Sequence, residues 1–88
     1  MEIKAGSVVI SSAGHDKGRL MLVVGADGGR VLTADGKERR LETPKKKNIK
    51  HIRATSGSIE LEGLTDKKLR QTLNRMSEAQ QNAPAQKY

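Results

Sequence analysis

The chain contains no cysteine, no phenylalanine and no tryptophan, and its single tyrosine is the last of 88 residues. Without cysteine there is no disulfide, no thiolate metal site and no cysteine nucleophile, which favours a reducing compartment. Without aromatic side chains, the body of the domain offers no platform on which bases could stack. The core must therefore be aliphatic, and recognition must depend on charge, shape and hydrogen bonds.

Long apolar stretches are missing as well. The longest, residues 20–24, has five residues, whereas a helix needs about 20 to span a bilayer. The first residues, Met-Glu-Ile-Lys, do not resemble a secretory signal. We therefore expect no membrane contact and a cytoplasmic location. A chain of 88 residues also suits one small domain, with too little buried volume for a deep catalytic cleft.

Positive charge is plentiful and concentrated. Residues 37–53 hold eight Lys or Arg and two Glu, which is six of the seven net positive charges of the chain. Clustered charge of one sign attracts polyanions over about one Debye length, roughly 8 Å at physiological salt. This distribution predicts nucleic acid as the partner.

The first part of the chain has the pattern of a small β domain, which we place at residues 1–55. Short apolar or β-branched runs predict five strands, at residues 8–10, 20–25, 31–33, 38–41 and 49–53. Asp27-Gly28-Gly29 and Asp35-Gly36 put glycine where hairpins need a positive φ. Five such strands predict a small, curled antiparallel barrel.

The second part predicts a linker at residues 56–63, an amphipathic helix over residues 64–78 and a disordered tail over residues 79–88. Thr65 or Asp66 can cap the helix. Its apolar face consists of Leu64, Leu69, Leu73 and Met76. We expect this face to dock on the barrel; if it stays exposed, it becomes a possible protein contact.

Residues 6–19, Gly-Ser-Val-Val-Ile-Ser-Ser-Ala-Gly-His-Asp-Lys-Gly-Arg, with the apolar run after them, resemble the KOW motif of ribosomal and transcription-elongation proteins. Gly14 matches the central glycine of the motif, and Lys17-Gly18 matches its basic-glycine pair. The wider match, over residues 4–55, is similar to KOW-type large-subunit ribosomal proteins of eukaryotes and archaea, and also to small, stand-alone KOW RNA-binding proteins of Gram-positive bacteria. The resemblance implies an SH3-like five-stranded barrel, RNA as the partner and a role at the ribosome in translation.

Two segments supply the candidate RNA contacts. In the loop over residues 12–18, Gly14 and Gly18 permit a close turn that would expose backbone amides to phosphate oxygens. Lys45, Lys46 and Lys47 follow Pro44 in a predicted connector, outside the core, where ammonium groups suit phosphates. The full predicted set is Gly14, His15, Lys17, Gly18, Arg19, Arg39, Arg40, Lys45, Lys46, Lys47, Lys50, His51 and Arg53.

Other functions have weaker support. His15 beside Asp16 is a candidate catalytic pair or metal-ligand pair. The sequence shows no third catalytic residue or ligand to complete such a site, so we predict no catalysis, no metal and no cofactor. A transcription or translation adaptor whose barrel mainly contacts protein remains the alternative. Peptide-binding barrels use aromatic grooves, which this chain lacks. The sequence therefore predicts a non-catalytic module that binds ribosomal or other structured RNA through its backbone and shape.

Overall fold

The computed structural model describes residues 3–14 and 17–82. Its elements are β1 (Ser7–Ser11), β2 (Leu20–Asp27), β3 (Arg30–Ala34), β4 (Lys45–Asn48), a 3₁₀ turn (Ile49–His51), β5 (Ile52–Ser58) and the helix α1 (Asp66–Asn82). The strands pair antiparallel in the order β4-β3-β2-β1-β5. The prediction of five antiparallel strands followed by a helix is confirmed.

Two of the predicted strands are misplaced. Residues 38–41 form no strand, because the Asp35 Oδ1 accepts hydrogen bonds from the amides of Lys37 at 2.8 Å and Arg39 at 2.9 Å, and thereby folds this segment into a loop. The predicted fifth strand begins instead as the 3₁₀ turn, in which the Lys50 amide donates to the Asn48 side chain at 2.9 Å. β5 then continues to Ser58, into the expected linker.

The hairpin between β2 and β3 follows the Asp-Gly-Gly signal. Asp27 pairs with Arg30, which leaves Gly28 and Gly29 as a two-residue loop, and Gly28 has a φ of 52°. Further along the pair, the register shifts between Val23 and Gly25. Such a bulge bends a strand and increases its twist, so β2 can curl the sheet.

Alternation along the strands creates two apolar clusters, one on each face of the sheet. One face carries Val8, Leu22 and Ala34 and is covered by α1. The other carries a second cluster, formed by Val9, Met21, Val23, Val31 and Ile52. The core is aliphatic, as the composition predicted, and the sheet is buried on both sides.

The apolar face of α1 docks on the sheet, as expected. Leu69 and Leu73 are buried, and Leu64 and Met76 pack against the same cluster. The chain therefore covers the face that we considered as a possible protein contact. α1 begins at Asp66 and ends at Asn82, so residues 79–82, expected in the tail, continue the helix; residues 83–88 lie outside the described residues.

The start of α1 holds the loop between β3 and β4. The Leu41 amide donates to the Asp66 Oδ1 at 2.8 Å, and the Arg70 Nη1 donates to the Gly36 carbonyl at 3.0 Å. Gly36 has a φ of 78°, and a Cβ there would lie 3.1 Å from the Arg70 amide nitrogen and overlap the Asp66 carbonyl oxygen. Glycine is needed here for its conformation and for its size.

Candidate nucleic-acid interface

A groove of about 370 Å³ lies where the loop after β1 meets β4 and the 3₁₀ turn. Ala13 and Gly14 line it from the loop, Lys45–Asn48 line it from β4, and His51 lines it from the turn. We call it the lysine groove. Five predicted site residues, far apart in the sequence, meet in it: Gly14, Lys45, Lys46, Lys47 and His51.

Hydrogen bonds fix the elements that form the lysine groove. The Ser12 amide donates to the His51 carbonyl at 2.9 Å, which joins the loop to the 3₁₀ turn. The Thr33 Oγ1 donates to the Lys45 carbonyl at 3.2 Å, and this bond supports β4 from β3. The groove is therefore formed by an ordered framework, which lowers the entropy lost on binding.

Lys47 differs from its expected placement. Lys45, Lys46 and Lys47 belong to β4 and not to a flexible connector, so their side chains alternate between the two faces of the strand. Lys46 is exposed and Lys45 half-buried, but Lys47 is only 9% exposed and its Nζ donates to the Ser11 Oγ at 2.7 Å. The expectation that all three lysines stay outside the core was wrong for Lys47.

Ser11 is a site residue that the sequence analysis missed. Its hydroxyl accepts from the Lys47 Nζ and donates to the Ala13 carbonyl at 3.0 Å, so it connects β4 to the loop that lines the lysine groove. Alternation along β1 indicated that Ser11 is buried, because it lies two residues after Val9 and therefore on the face of the sheet that carries the second cluster. A polar side chain at the end of a buried strand needs a hydrogen-bond partner.

The loop between β1 and β2 has the predicted glycine geometry, but two of the amides that were expected to face phosphate oxygens are bound within the turn. Gly14 and Gly18 have φ values of 79° and 88°. The Lys17 amide donates to the Gly14 carbonyl at 3.2 Å, and the Gly18 amide donates to the Ser11 carbonyl at 2.8 Å. These two amides stabilise the turn and do not face a ligand. His15, with Asp16, lies outside the described residues.

Arg19 is engaged within the protein. Its Nη1 lies 2.5 Å from the Glu38 Oε1 and 3.9 Å from the Asp35 Oδ2. The pair links the loop between β1 and β2 to the loop between β3 and β4, and about half of the Arg19 side chain remains exposed. To bind a phosphate, Arg19 would have to exchange a carboxylate partner for it or share its other donors.

The remaining predicted cations are exposed but do not all lie together. Arg39 and Arg40 occupy the loop between β3 and β4 and not the two faces of a strand. Lys50 lies in the 3₁₀ turn beside the lysine groove, and Arg53 lies on β5 opposite Ile10. Lys17 is exposed too. Lys46 and Lys50 are therefore the exposed lysines best placed to meet a polyanion at the groove.

The described residues form neither a metal site nor a membrane-spanning helix. Within residues 3–14 and 17–82, no three acidic or histidine side chains lie close enough to hold a metal ion. Over the same part of the chain, no helix has the length and apolarity that crossing a membrane requires.

Comparison with known proteins does not identify the chain. No protein-family model matches it, and no curated protein matches it significantly. Its function must therefore be inferred from the residues and their geometry.

Proposed function

We propose that this chain is a non-catalytic RNA-binding module whose lysine groove contacts the sugar-phosphate backbone of ribosomal or other structured RNA. The observation that carries the proposal is the meeting of Gly14, three consecutive lysines and His51 in one groove. A surface of that composition neutralises phosphates and releases their counterions, which supplies binding energy for any RNA sequence.

The lysines have different parts in this mechanism. Lys46 and Lys50, both exposed, act as point charges on flexible stems. Lys47, held by the Ser11 hydroxyl, contributes a charge at a fixed position. Because the domain has no aromatic platform, it recognises backbone and shape more than base sequence.

The KOW resemblance supplies the choice of RNA over DNA and the placement at the ribosome in the cytoplasm. Two features support an SH3-like barrel of KOW type. Gly14 and Lys17-Gly18 lie in a loop between two antiparallel strands, where the motif requires them. The register shift in β2 is of the kind that bends a strand, and the bond between Lys47 of β4 and Ser11 of β1 joins two strands that are not neighbours in the sheet.

The proposal is tested by the salt dependence of RNA affinity, measured by fluorescence anisotropy with a labelled RNA hairpin that carries single-stranded flanks. If about five cations meet phosphates, log affinity falls with log salt with a slope near 3.5 to 4.5. Lys46→Gln with Lys50→Gln removes one exposed charge that lines the lysine groove and one from the 3₁₀ turn next to His51. This double variant lowers the slope by about 1.4 to 1.8.

The matched control is Lys68→Gln with Arg75→Gln. It removes the same charge from exposed positions of α1 that line neither the lysine groove nor the pocket beside α1. Its slope stays close to that of the unmodified protein, because exposed charges beyond a Debye length are screened. A wild-type slope near zero, or equal losses in both double variants, would refute binding at the lysine groove.

A further inference from the structure

A second concavity, of about 230 Å³, lies between α1 and two loops. We call it the helix-side pocket. Gly18 and Arg19 line it from the loop between β1 and β2, Asp35 and Lys37 from the loop between β3 and β4, and Arg70 and Asn74 from α1. It shares no lining residue with the lysine groove.

The lining of the helix-side pocket is cationic. Arg19, Lys37 and Arg70 bring three positive charges, against the Asp35 carboxylate in the lining and the Glu38 carboxylate, which does not line the pocket but pairs with Arg19. The Asp35 carboxylate also accepts two backbone amides through its Oδ1, and its Oδ2 faces Arg19. These contacts compensate part of its charge, so the pocket as a whole attracts anions.

The cations are held in place by the fold. The Arg70 Nη1 donates to the Gly36 carbonyl at 3.0 Å, and this bond fixes the position of the guanidinium. A guanidinium has five N–H donors and can bind a phosphate with two of them at once. The Lys37 backbone is fixed by the Asp35 side chain, while its ammonium is exposed.

One loop connects the two concavities. Ala13 and Gly14 line the lysine groove, while Gly18 and Arg19, a few residues later in the same loop, line the helix-side pocket. An extended polyanion that crosses this loop can therefore contact both places. RNA carries many phosphates at regular spacing, and it is the proposed ligand of the lysine groove. It is therefore the polyanion that fits both places.

We propose that the helix-side pocket is a second phosphate site for the same RNA, with Lys37 and Arg70 as its cations and Asn74 as a polar neighbour. The inference rests on the proposed function and extends it, because α1 then takes part in binding as well as covering the sheet. The RNA footprint runs from the lysine groove past Gly18 and Arg19 to α1.

The test compares Lys37→Gln with Arg70→Gln against the control Lys68→Gln with Arg75→Gln, in the same anisotropy assay on the full chain. Each pair removes two positive charges, but Lys68 and Arg75 do not line the pocket. We expect the Lys37 and Arg70 pair to lower the salt slope by about 1.4 to 1.8, and the control to leave it nearly unchanged.

Two further variants separate binding from folding. Arg70→Gln also removes the hydrogen bond to Gly36, so the single variant Lys37→Gln, whose side chain supports no described contact, is measured alone. It lowers the slope by about 0.7 to 0.9. Arg70→Lys keeps the charge and restores most of the slope. A normal slope in Lys37→Gln would overturn the proposal even if Arg70→Gln were unfolded.

The two proposals fail in different ways. If the unmodified protein binds no RNA, or binds it with an affinity that does not depend on salt, phosphate contact at both sites is refuted. If Lys46→Gln with Lys50→Gln lowers the slope but Lys37→Gln and the Lys37 and Arg70 pair do not, the lysine groove stands and the second site is overturned. A loss equal to that of the α1 control would also overturn it, because that result needs only the overall charge.

Discussion

Replacing Gly36 by alanine tests the contact between α1 and the loop that carries Lys37. Gly36 has a φ of 78°, and a side chain in this left-handed region costs about 1–2 kcal/mol. The added Cβ would overlap the Asp66 carbonyl oxygen and approach the Arg70 amide nitrogen, and overpacking of this kind costs about 1–3 kcal/mol more. Alanine has fewer unfolded conformations than glycine, which raises the free energy of unfolding by about 0.4–1 kcal/mol. We expect a net loss of about 1–5 kcal/mol.

Gly63→Ala is the matched control. Gly63 has a φ of 71°, close to that of Gly36, but no heavy atom lies within 4 Å of the Cβ position. It therefore carries the conformational cost without the collision, and we expect a loss of about 1 kcal/mol. The difference between the two variants isolates the contact with α1.

The assay is urea and thermal unfolding followed by far-ultraviolet circular dichroism, because the chain has no tryptophan to report by fluorescence. In a domain of this size, 1 kcal/mol changes Tm by about 4–8 °C. Because the two variants differ by the cost of the collision, about 1–3 kcal/mol, Gly36→Ala should unfold about 4–24 °C below Gly63→Ala. Equal unfolding temperatures would show that α1 does not lie against Gly36, and would remove one side of the helix-side pocket.

Two further predictions concern the charged residues of the site. Lys47→Ala removes a buried stem and the donor to Ser11, so urea titration should give a stability loss of about 1–3 kcal/mol. The exposed Lys46→Ala should lose less than about 0.5 kcal/mol. Similar losses in the two variants would contradict the burial of Lys47. Glu38→Gln removes the partner of Arg19 and should change stability by less than about 1 kcal/mol, while raising the RNA salt slope by about 0.7–0.9 as Arg19 turns to a phosphate. An unchanged slope would mean that loss of the Glu38 carboxylate gives Arg19 no new phosphate contact.

The elements that the sequence predicted well carry local signals. β1 and β2 are apolar runs, the loop at Gly28 has the Asp-Gly signature, and α1 has a cap and a regular apolar face. β4 could not be predicted in this way, because Lys-Lys-Lys-Asn has little intrinsic preference for a strand. Its conformation depends on pairing with β3, which is a tertiary contact.

The candidate site was predictable in composition but not in arrangement. The charge count indicated the segment that holds the lysines, and the motif indicated Gly14. Their meeting in one groove depends on how the loop after β1, β4 and the 3₁₀ turn come together, and the Lys47 ammonium is bound by a hydroxyl 36 positions away in sequence. The pairing of Arg19 with Glu38 likewise joins two loops that no local pattern relates.

The attachment of α1 limits how the module can be divided. Asp66 and Arg70 anchor the loop between β3 and β4, while Leu69 and Leu73 cover one face of the sheet. A fragment cut after β5 would leave Leu22 and Ala34 without their cover and invite aggregation. A transfer of the cationic surface to another protein scaffold must therefore include α1 together with the strands.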